Sequence, residues 1–197
     1  MHEIWSFVTD FGDTAVTVPL AVLVTGFLFA AREPRMAIGW ALVILLCAGM
    51  TAALKLAFTV CGYPLAGSGL MSPSGHTAMS VAVYGGLAAV IGSDRKAPAR
   101  LMLIAAAVIF TIGIALSRTI VGFHTPIEVG IGMMVGVASL GAMIAVAAHY
   151  RPEHLPIHWL AAGAFIVFVL FHGTRWPAER ALHRLAWWLE ILRPYCT

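Results

Sequence analysis

The sequence predicts an all-α integral membrane protein, a bundle of six transmembrane helices with an interfacial helix at each terminus. Of its 197 residues, 60% are hydrophobic and 11% are charged, whereas about a quarter of the residues in a soluble domain are charged. Mean hydropathy is +0.90. Because a helix needs about 20 apolar residues to cross a bilayer, we interpret six apolar segments as spans of one domain over residues 1–197. They cover about residues 15–31, 36–56, 76–93, 101–117, 125–149 and 157–173.

The segments that flank the spans are amphipathic. The first span is interpreted as retained, because acidic residues precede it and further spans follow, unlike a secretion signal. Residues 1–14 mix aromatic and aliphatic side chains with Glu3 and Asp13, with a turn at Gly12, and the tail at 177–192 has a similar mixture at helical spacing. Both segments therefore predict helices at the membrane surface.

The positive charges indicate an orientation. The net charge is +3, but Lys and Arg are dispersed, which argues against nucleic acid as a partner. Cytoplasmic loops are enriched in Lys and Arg, and the rich loops follow the first, third and fifth spans. They carry Arg32, Arg35, Arg95, Lys96, Arg100 and Arg151. The opposite loops are predicted to face away from the cytoplasm. Six crossings would place the arginine-containing tail on that same outer side, whereas an odd number of crossings would return it to the inside.

The three cysteines form neither a disulfide framework nor a Cys/His metal pattern. Cys47 falls in mid-span and is expected to be a small core residue. Cys61 and Cys196 fall on one side of the membrane in this topology, so a disulfide between them stays open.

A first polar cluster, Pro73-Ser74-Gly75-His76, directly precedes the third span. The backbone amides of Ser74 to His76 then begin a helix, where unpaired N–H groups and a partial positive charge suit a phosphate oxygen. The alternative is an ordinary N-cap at Ser74 with His76 at the membrane interface.

A second cluster consists of Ser117-Arg118 at the end of the fourth span and His124 and Glu128 at the start of the fifth. The i, i+4 spacing predicts that His124 and Glu128 share a helical face, so that the carboxylate fixes the imidazole tautomer and strengthens it as a nucleophile. Lys55, near the outer end of the second span, is expected at the same depth. Together with Arg118 it would offer two cations to a phosphate dianion, although a lysine there can also snorkel.

These clusters resemble the second and third signatures of the type 2 phosphatidic acid phosphatases, relatives of the vanadium haloperoxidases. The resemblance covers about residues 50–135 and implies a helical membrane bundle whose site lies at the outer surface and needs neither metal nor cofactor. By matching positions it implies that His124 attacks phosphorus to form a phosphohistidine, that His76 protonates the leaving alkoxide and that Glu128 orients His124. The implied ligands of the phosphoryl oxygens are Lys55, Ser74, the Gly75 amide, Ser117 and Arg118.

Two positions depart from the family pattern. Glu128 stands where the family normally has Asp. The first signature normally continues from Lys through six residues to Arg-Pro, whereas Lys55 is followed at that spacing by Gly62-Tyr63-Pro64. Arg175, just beyond the sixth span, is a hypothetical replacement if the tail lies outside, and an interfacial Arg-Trp anchor is the alternative.

The sequence thus predicts a phosphatase for a lipid phosphate or polyprenyl pyrophosphate, in a bacterial inner membrane with the site facing outward. Two alternatives stay open: a phosphotransferase that passes the phosphoryl group to a second lipid, and a non-catalytic lipid-phosphate binder or transporter. Gly132 and Gly136 continue the face of Glu128 and predict close packing of a neighbouring helix. The oligomeric state is not predicted.

Overall fold

The computed structural model describes residues 2–61, 72–152, 155–174, 176 and 178–188, and this part of the chain folds into helices and short connections without a strand. One helix is continuous from residue 75 to 92 and contains a π-helical turn, Val81–Gly85, between α4 and α5. The helices are α1 His2–Asp10, α2 Thr14–Ala30, α3 Pro34–Cys61, α4 Gly75–Ser80, α5 Gly86–Gly92, α6 Ala97–Ile120, α7 Pro126–Tyr150, α8 Ile157–Phe171 and α9 Ala178–Trp188.

Five helical stretches within the described residues are long and apolar enough to cross a membrane. They are His2–Ala30, Pro34–Val60, Gly75–Gly92, Ala97–Ile120 and Pro126–Tyr150. The sixth predicted span, α8, has 15 residues, about 22 Å of helix against a hydrocarbon core of about 30 Å. The predicted count of six is therefore not confirmed, and the interfacial placement of α1 and α9 stays a prediction.

Successive long helices run in opposite directions, which sorts the connections onto two ends. We call the end with residues 11–13, 72–74 and 121–125 the motif end. Asp13 contacts His76 at the start of α4, and Ser72 and Ser74 donate to Glu128 at the start of α7, so the three connections lie at the same end. We call the end with residues 31–33 and 93–96 and with Arg151 the arginine end. Both polar clusters of the sequence therefore lie at the motif end.

The core lies between α2, α3 and the α4–α5 helix, with α7 packed across it. Trp40 is fully buried, and its indole N–H donates to the carbonyl of Ala21 at 3.0 Å. Cys47 is buried to 1% exposure among these side chains, which confirms it as a small core residue.

Two glycines bring α7 against α4. A Cβ on Gly132 would overlap the carbonyl oxygen of Ser74, and one on Gly136 would lie 2.7 Å from Cβ of Val81. The predicted close packing at these glycines is confirmed. At the same crossing the amide of Ser74 donates to the carbonyl of Glu128 at 3.0 Å, so this contact joins the two polar clusters.

Helix α1 is fastened to the bundle by aromatic rings. The ring of His172 lies 4.4 Å from that of Phe7 and 4.5 Å from that of Phe11, centroid to centroid, and its Nε2 donates to the Phe7 carbonyl at 3.0 Å. The hydroxyl of Tyr84 donates to the Phe11 carbonyl at 2.6 Å. These contacts hold the turn after α1, with Gly12 in it, above the start of α4.

Candidate active site

The first cluster begins α4, as the sequence predicts, and Ser74 is its N-cap. The Ser74 hydroxyl accepts from the amide of Thr77 at 3.4 Å and from the Thr77 hydroxyl at 3.0 Å, and the residue is fully buried. Ser74 therefore caps the helix, as in the alternative interpretation of the sequence, and its binding of phosphate stays a prediction. A Cβ on Gly75 would lie 3.6 Å from Cε of Lys55, so the glycine gives the lysine room beside the helix start.

In the second cluster, Glu128 accepts hydrogen bonds through both carboxylate oxygens. Its Oε2 lies 3.2 Å from Nδ1 of His124 and accepts from the amide of Thr125 at 2.8 Å, while its Oε1 accepts from the amide of Ser72 at 2.9 Å. Because an ionised carboxylate only accepts, Nδ1 of His124 carries the proton beside Glu128, and the lone pair of the neutral ring is on Nε2. The carboxylate thus fixes the tautomer, as expected.

The i, i+4 spacing predicts that His124 and Glu128 share a helical face, but the structure brings the two side chains together in another way. Thr125 caps α7, so His124 precedes the helix, and Glu128 reaches back from the third helical position in a capping box. The amides of Phe123 and His124 both donate to the carbonyl of Arg118, at 3.0 and 3.1 Å. These bonds fix the imidazole on a tight connection rather than on a helix face.

The two cations lie at the motif end, with Lys55 9% and Arg118 6% exposed. Nη1 of Arg118 donates to Oγ1 of Thr9 at 3.1 Å, and the guanidinium carbon lies 4.6 Å from the ring centroid of Phe123. These contacts position a planar group that suits bidentate binding of phosphate. Ser117 is fully buried and donates through its hydroxyl to the carbonyl of Ile114 at 2.6 Å, so its role toward substrate stays a prediction.

Asp13 is a site residue that the sequence reasoning missed. Its Oδ2 lies 3.3 Å from Nε2 of His76, and its Oδ1 accepts from the amide of Ala15 as the N-cap of α2. The sequence signal was an Asp directly before an apolar helix, which predicts a cap. Nothing local to that signal points to an imidazole 63 positions later in the chain.

A cavity of about 390 Å³ lies at the motif end, and the predicted site residues in its described lining are Lys55, Gly75, His76 and Arg118. Ser74, Ser117, His124 and Glu128 are not among the described residues of that lining. Trp176 and Leu182, from the tail, also contribute to its wall. Arg175 lies outside the described residues, as does the Cys61–Cys196 pairing. The polar residues of the wall are Thr9, Asp10, Asp13, Thr14, Thr51, Lys55, His76 and Arg118.

His124 stands beside this cavity in a positive environment. Burial, followed by the charge of Arg118 and then that of Lys55, lowers the pKa of His124, while the hydrogen bond and charge of Glu128 raise it. The net direction is downward, so the imidazole stays neutral at a lower pH than an ordinary histidine.

Within the part of the chain that the structure describes, no three His, Cys, Asp or Glu side chains cluster in a way that could hold a metal ion. The positive charge of the described site comes from Lys55 and Arg118.

Comparisons with known proteins agree with the motif pattern. An uncharacterized 22.5 kDa protein in the cps region of Klebsiella pneumoniae is 24% identical over 187 residues, covering 92% of this chain and 90% of that protein. No solved structure matches the chain significantly. The model of the PAP2 superfamily matches residues 55–152, about half of the chain, from Lys55 through both polar clusters. The chain belongs to the PAP2 superfamily.

Proposed function

We propose that this protein is a membrane lipid phosphatase that releases phosphate from a lipid phosphate monoester or pyrophosphate through a phosphohistidine. Membership of the PAP2 superfamily indicates a phosphatase-type activity. The observation that carries the finer proposal is the pairing of two imidazoles with two carboxylates, His76 with Asp13 and His124 with Glu128, beside two buried cations. Binding a phosphate would need the cations alone, whereas nucleophile and acid roles need the imidazoles.

In the first step, Nε2 of His124 attacks phosphorus while the bond from phosphorus to the ester oxygen breaks. The electron pair leaves with that oxygen, and His76 supplies the proton that makes it a neutral alcohol. Asp13 stabilises the imidazolium form of His76, because a carboxylate at 3.3 Å favours the charged ring. Lys55 and Arg118 balance the charge on the equatorial oxygens in the transition state.

In the second step, His76, now neutral, accepts a proton from water as the water oxygen attacks phosphorus. The phosphorus–nitrogen bond breaks, the electron pair returns to Nε2 of His124, and inorganic phosphate leaves. Both histidines end in their starting protonation states. Glu128 stabilises the positive charge that His124 carries between the two steps, because its carboxylate is held by two backbone amides.

The substrate is proposed to be a lipid whose tails stay in the bilayer while its phosphate enters the cavity. A cavity of about 390 Å³ is near the lower end of the range for small-molecule sites, which suits a small headgroup. Phosphatidic acid, phosphatidylglycerol phosphate and polyprenyl pyrophosphate fit this description. From the excess of Lys and Arg at the arginine end, the motif end is proposed to face the periplasm of a bacterial inner membrane.

The test is phosphate release by the purified protein from these three lipids, with and without a chelator. The variant is His124→Ala, and the matched control is His158→Ala, which removes an imidazole at the arginine end. We expect activity on at least one lipid, retained with chelator, lost in His124→Ala and kept in His158→Ala. An acid-labile, base-stable phosphate label on the wild-type protein, absent from His124→Ala, would identify the phosphohistidine.

Two results would contradict the proposal. Phosphate release that persists in His124→Ala would remove the nucleophile, and release abolished by chelator would indicate a metal enzyme. Transfer of label from one lipid to a second, without free phosphate, would instead identify a phosphotransferase that uses the same intermediate.

A further inference from the structure

A second cavity lies at the arginine end, between the α4–α5 helix, α6 and α7. Its volume is about 530 Å³, larger than that of the motif-end cavity. Its floor consists of small residues, so no large side chain fills the space between the three helices. The small residues toward the inside are Gly85, Ala88, Ala89, Ala107 and Ala147, and the exposed Ala148 also lines the groove.

The sides of this groove are apolar and open outward. Ile104, Val108 and Ile144 line it and are 45%, 47% and 53% exposed. In a chain that spans a membrane, side chains with this exposure on α6 and α7 face the lipid tails. The groove is therefore reached from the hydrocarbon of the bilayer.

Two arginines line the groove at the arginine end, Arg100 in the first turns of α6 and Arg151 at the C-cap of α7. The stem of Arg100 packs on Gly92, where an added Cβ would lie 3.2 Å from Cγ of Arg100. Nε of Arg151 donates to the carbonyl of Ala148 at 3.3 Å, which folds this side chain back along the last turn of α7, where Ala148 lines the groove. No acidic residue is among the described residues that line the groove, so its mouth is positively charged.

The depth of the groove matches one leaflet. It extends along α6 from Arg100 to Thr111, and eleven residues of helix rise about 16 Å. Half of a hydrocarbon core of about 30 Å is about 15 Å. A lipid in the leaflet at the arginine end would thus place an acyl chain along the whole groove while its phosphate lies at the level of the two arginines.

We propose that this groove binds an anionic phospholipid, with one acyl chain between α6 and α7 and the phosphate on Arg100 and Arg151. Basic pockets between transmembrane helices recognise lipid phosphates in this way. The site is separate from the motif-end cavity, since the described linings of the two cavities share no residue. A second copy of the chain is a less suitable occupant, because two copies would bring their arginines toward one another without an acidic partner in the described lining.

The test measures binding of phosphatidylglycerol and of phosphatidylcholine with identical chains to the purified protein, by native mass spectrometry. Phosphatidylglycerol is a phosphodiester, so turnover by the proposed phosphatase does not consume it, and lipid binding and catalysis can fail independently. The charge variant is Arg100→Gln with Arg151→Gln. Its control is Arg95→Gln with Lys96→Gln, which removes two charges from the same end outside the described lining.

The steric variant is Ala107→Phe, which fills the floor, and its control is Ala106→Phe, an exposed neighbour on the same helix. We expect the wild type to prefer phosphatidylglycerol and the Arg100 and Arg151 pair to lose about 30-fold of that preference, at about 1 kcal/mol for each arginine. Ala107→Phe should weaken binding of both lipids. Both controls should bind as the wild type does.

Equal binding of the two lipids by the wild type would overturn the proposal. So would an equal loss in the Arg95 and Lys96 control, which would indicate diffuse surface charge. Glycerol phosphate that binds as tightly as the intact lipid would identify a phosphate site without a chain groove, and a dimer lost only in Ala107→Phe would identify a second copy as the occupant. Because Arg100 and Arg151 are exposed, their replacement tests the idea even if Ala107→Phe does not fold.

Discussion

Replacing Glu128 with Gln removes the negative charge beside His124 and keeps the length of the side chain at position 128. The carboxylate accepts from three groups, the amides of Ser72 and Thr125 and Nδ1 of His124, at 2.8 to 3.2 Å. A Gln side chain has one accepting oxygen, so at least one donor at Oε1 or Oε2 loses its acceptor. Hydrogen bonds to charged groups contribute about 1.5 to 3 kcal/mol each.

The effect on rate follows from the charge. An opposite charge at this distance changes a pKa by about 1 to 3 units, and each unit is about 1.4 kcal/mol. In the proposed mechanism Glu128 stabilises the positive His124 that forms as the phosphoryl group is transferred, so losing Glu128 should slow phosphate release by about 10-fold to 1,000-fold. Glu3→Gln is the control, since it makes the same change at an exposed position on α1.

The pH dependence gives a sharper signature. Glu128 raises the pKa of His124 against the larger effect of burial, so Glu128→Gln should lower that pKa further. Initial rates of phosphate release between about pH 4 and 8 should place the acidic limb of the variant at lower pH than that of the wild type. As pH falls, His124 becomes protonated in the wild type before it does in the variant. The ratio of the wild-type rate to the variant rate should therefore decrease toward acidic pH.

Rates within twofold of the wild type at every pH, or an acidic limb that moves to higher pH, would refute this reasoning. Glu128→Asp separates charge from reach, because it keeps the carboxylate but cannot bond His124 and Ser72 at once. It should keep a limb closer to that of the wild type and lose less rate than Glu128→Gln. A melting curve in detergent should accompany each variant, so that a loss of fold is not read as a loss of chemistry.

Three further predictions concern the groups that position the site. Asp13→Asn keeps a helix cap but removes the charge beside His76. Phosphate release from an alkyl phosphate should fall about tenfold or more, whereas release from an aryl phosphate should change little, because its leaving group needs no proton. Equal losses on both esters would contradict the acid role of His76. Gly132→Ala should lower the melting temperature and the activity, because the added Cβ overlaps the Ser74 carbonyl. The control Gly130→Ala, whose Cβ would have nothing within 4 Å, should be neutral or stabilising by up to about 1 kcal/mol. Equal melting temperatures for the two variants would argue against a tight crossing of α7 and α4. Thr9→Val should raise KM for the lipid phosphate about fivefold, since one hydrogen bond of about 1 kcal/mol to Arg118 is lost. Thr9→Ser keeps a hydroxyl and should restore the KM of the wild type. A change in kcat alone would contradict a role of Arg118 in binding the substrate.

The long apolar helices were predictable because apolar length is a local property of the sequence. The first predicted span, 15–31, corresponds to the helix Thr14–Ala30, and the fifth, 125–149, to the helix Pro126–Tyr150. Helix α3 continues to Cys61 instead of ending near 56. Hydropathy falls at Lys55, but a lysine whose side chain lines a cavity does not end a helix, and the Thr59 hydroxyl donates to the Lys55 carbonyl at 2.7 Å within the helix.

The site was predictable only in part. Motif spacing predicted that His124 meets Glu128 and that both clusters lie at one end of the bundle. It did not predict Asp13 beside His76 or Thr9 beside Arg118, because the latter pair is 109 positions apart and α1 reads as a surface helix from its composition. The aromatic contacts of Phe11 and His172 that hold α1 on the bundle are not visible in any local pattern.

The sequence by itself determined the all-helical class with helices apolar enough to cross a membrane, the positions of the long helices and the two polar clusters of the candidate site, since these depend on composition and on residues a few positions apart. The tertiary structure decided which carboxylate lies beside which imidazole and that an N-terminal helix supplies one of them. It also decided that His124 lies on a turn before α7 rather than on a helix face. These features depend on how closely helices pack, and at Gly132 that packing rests on the space a single missing Cβ leaves for the Ser74 carbonyl.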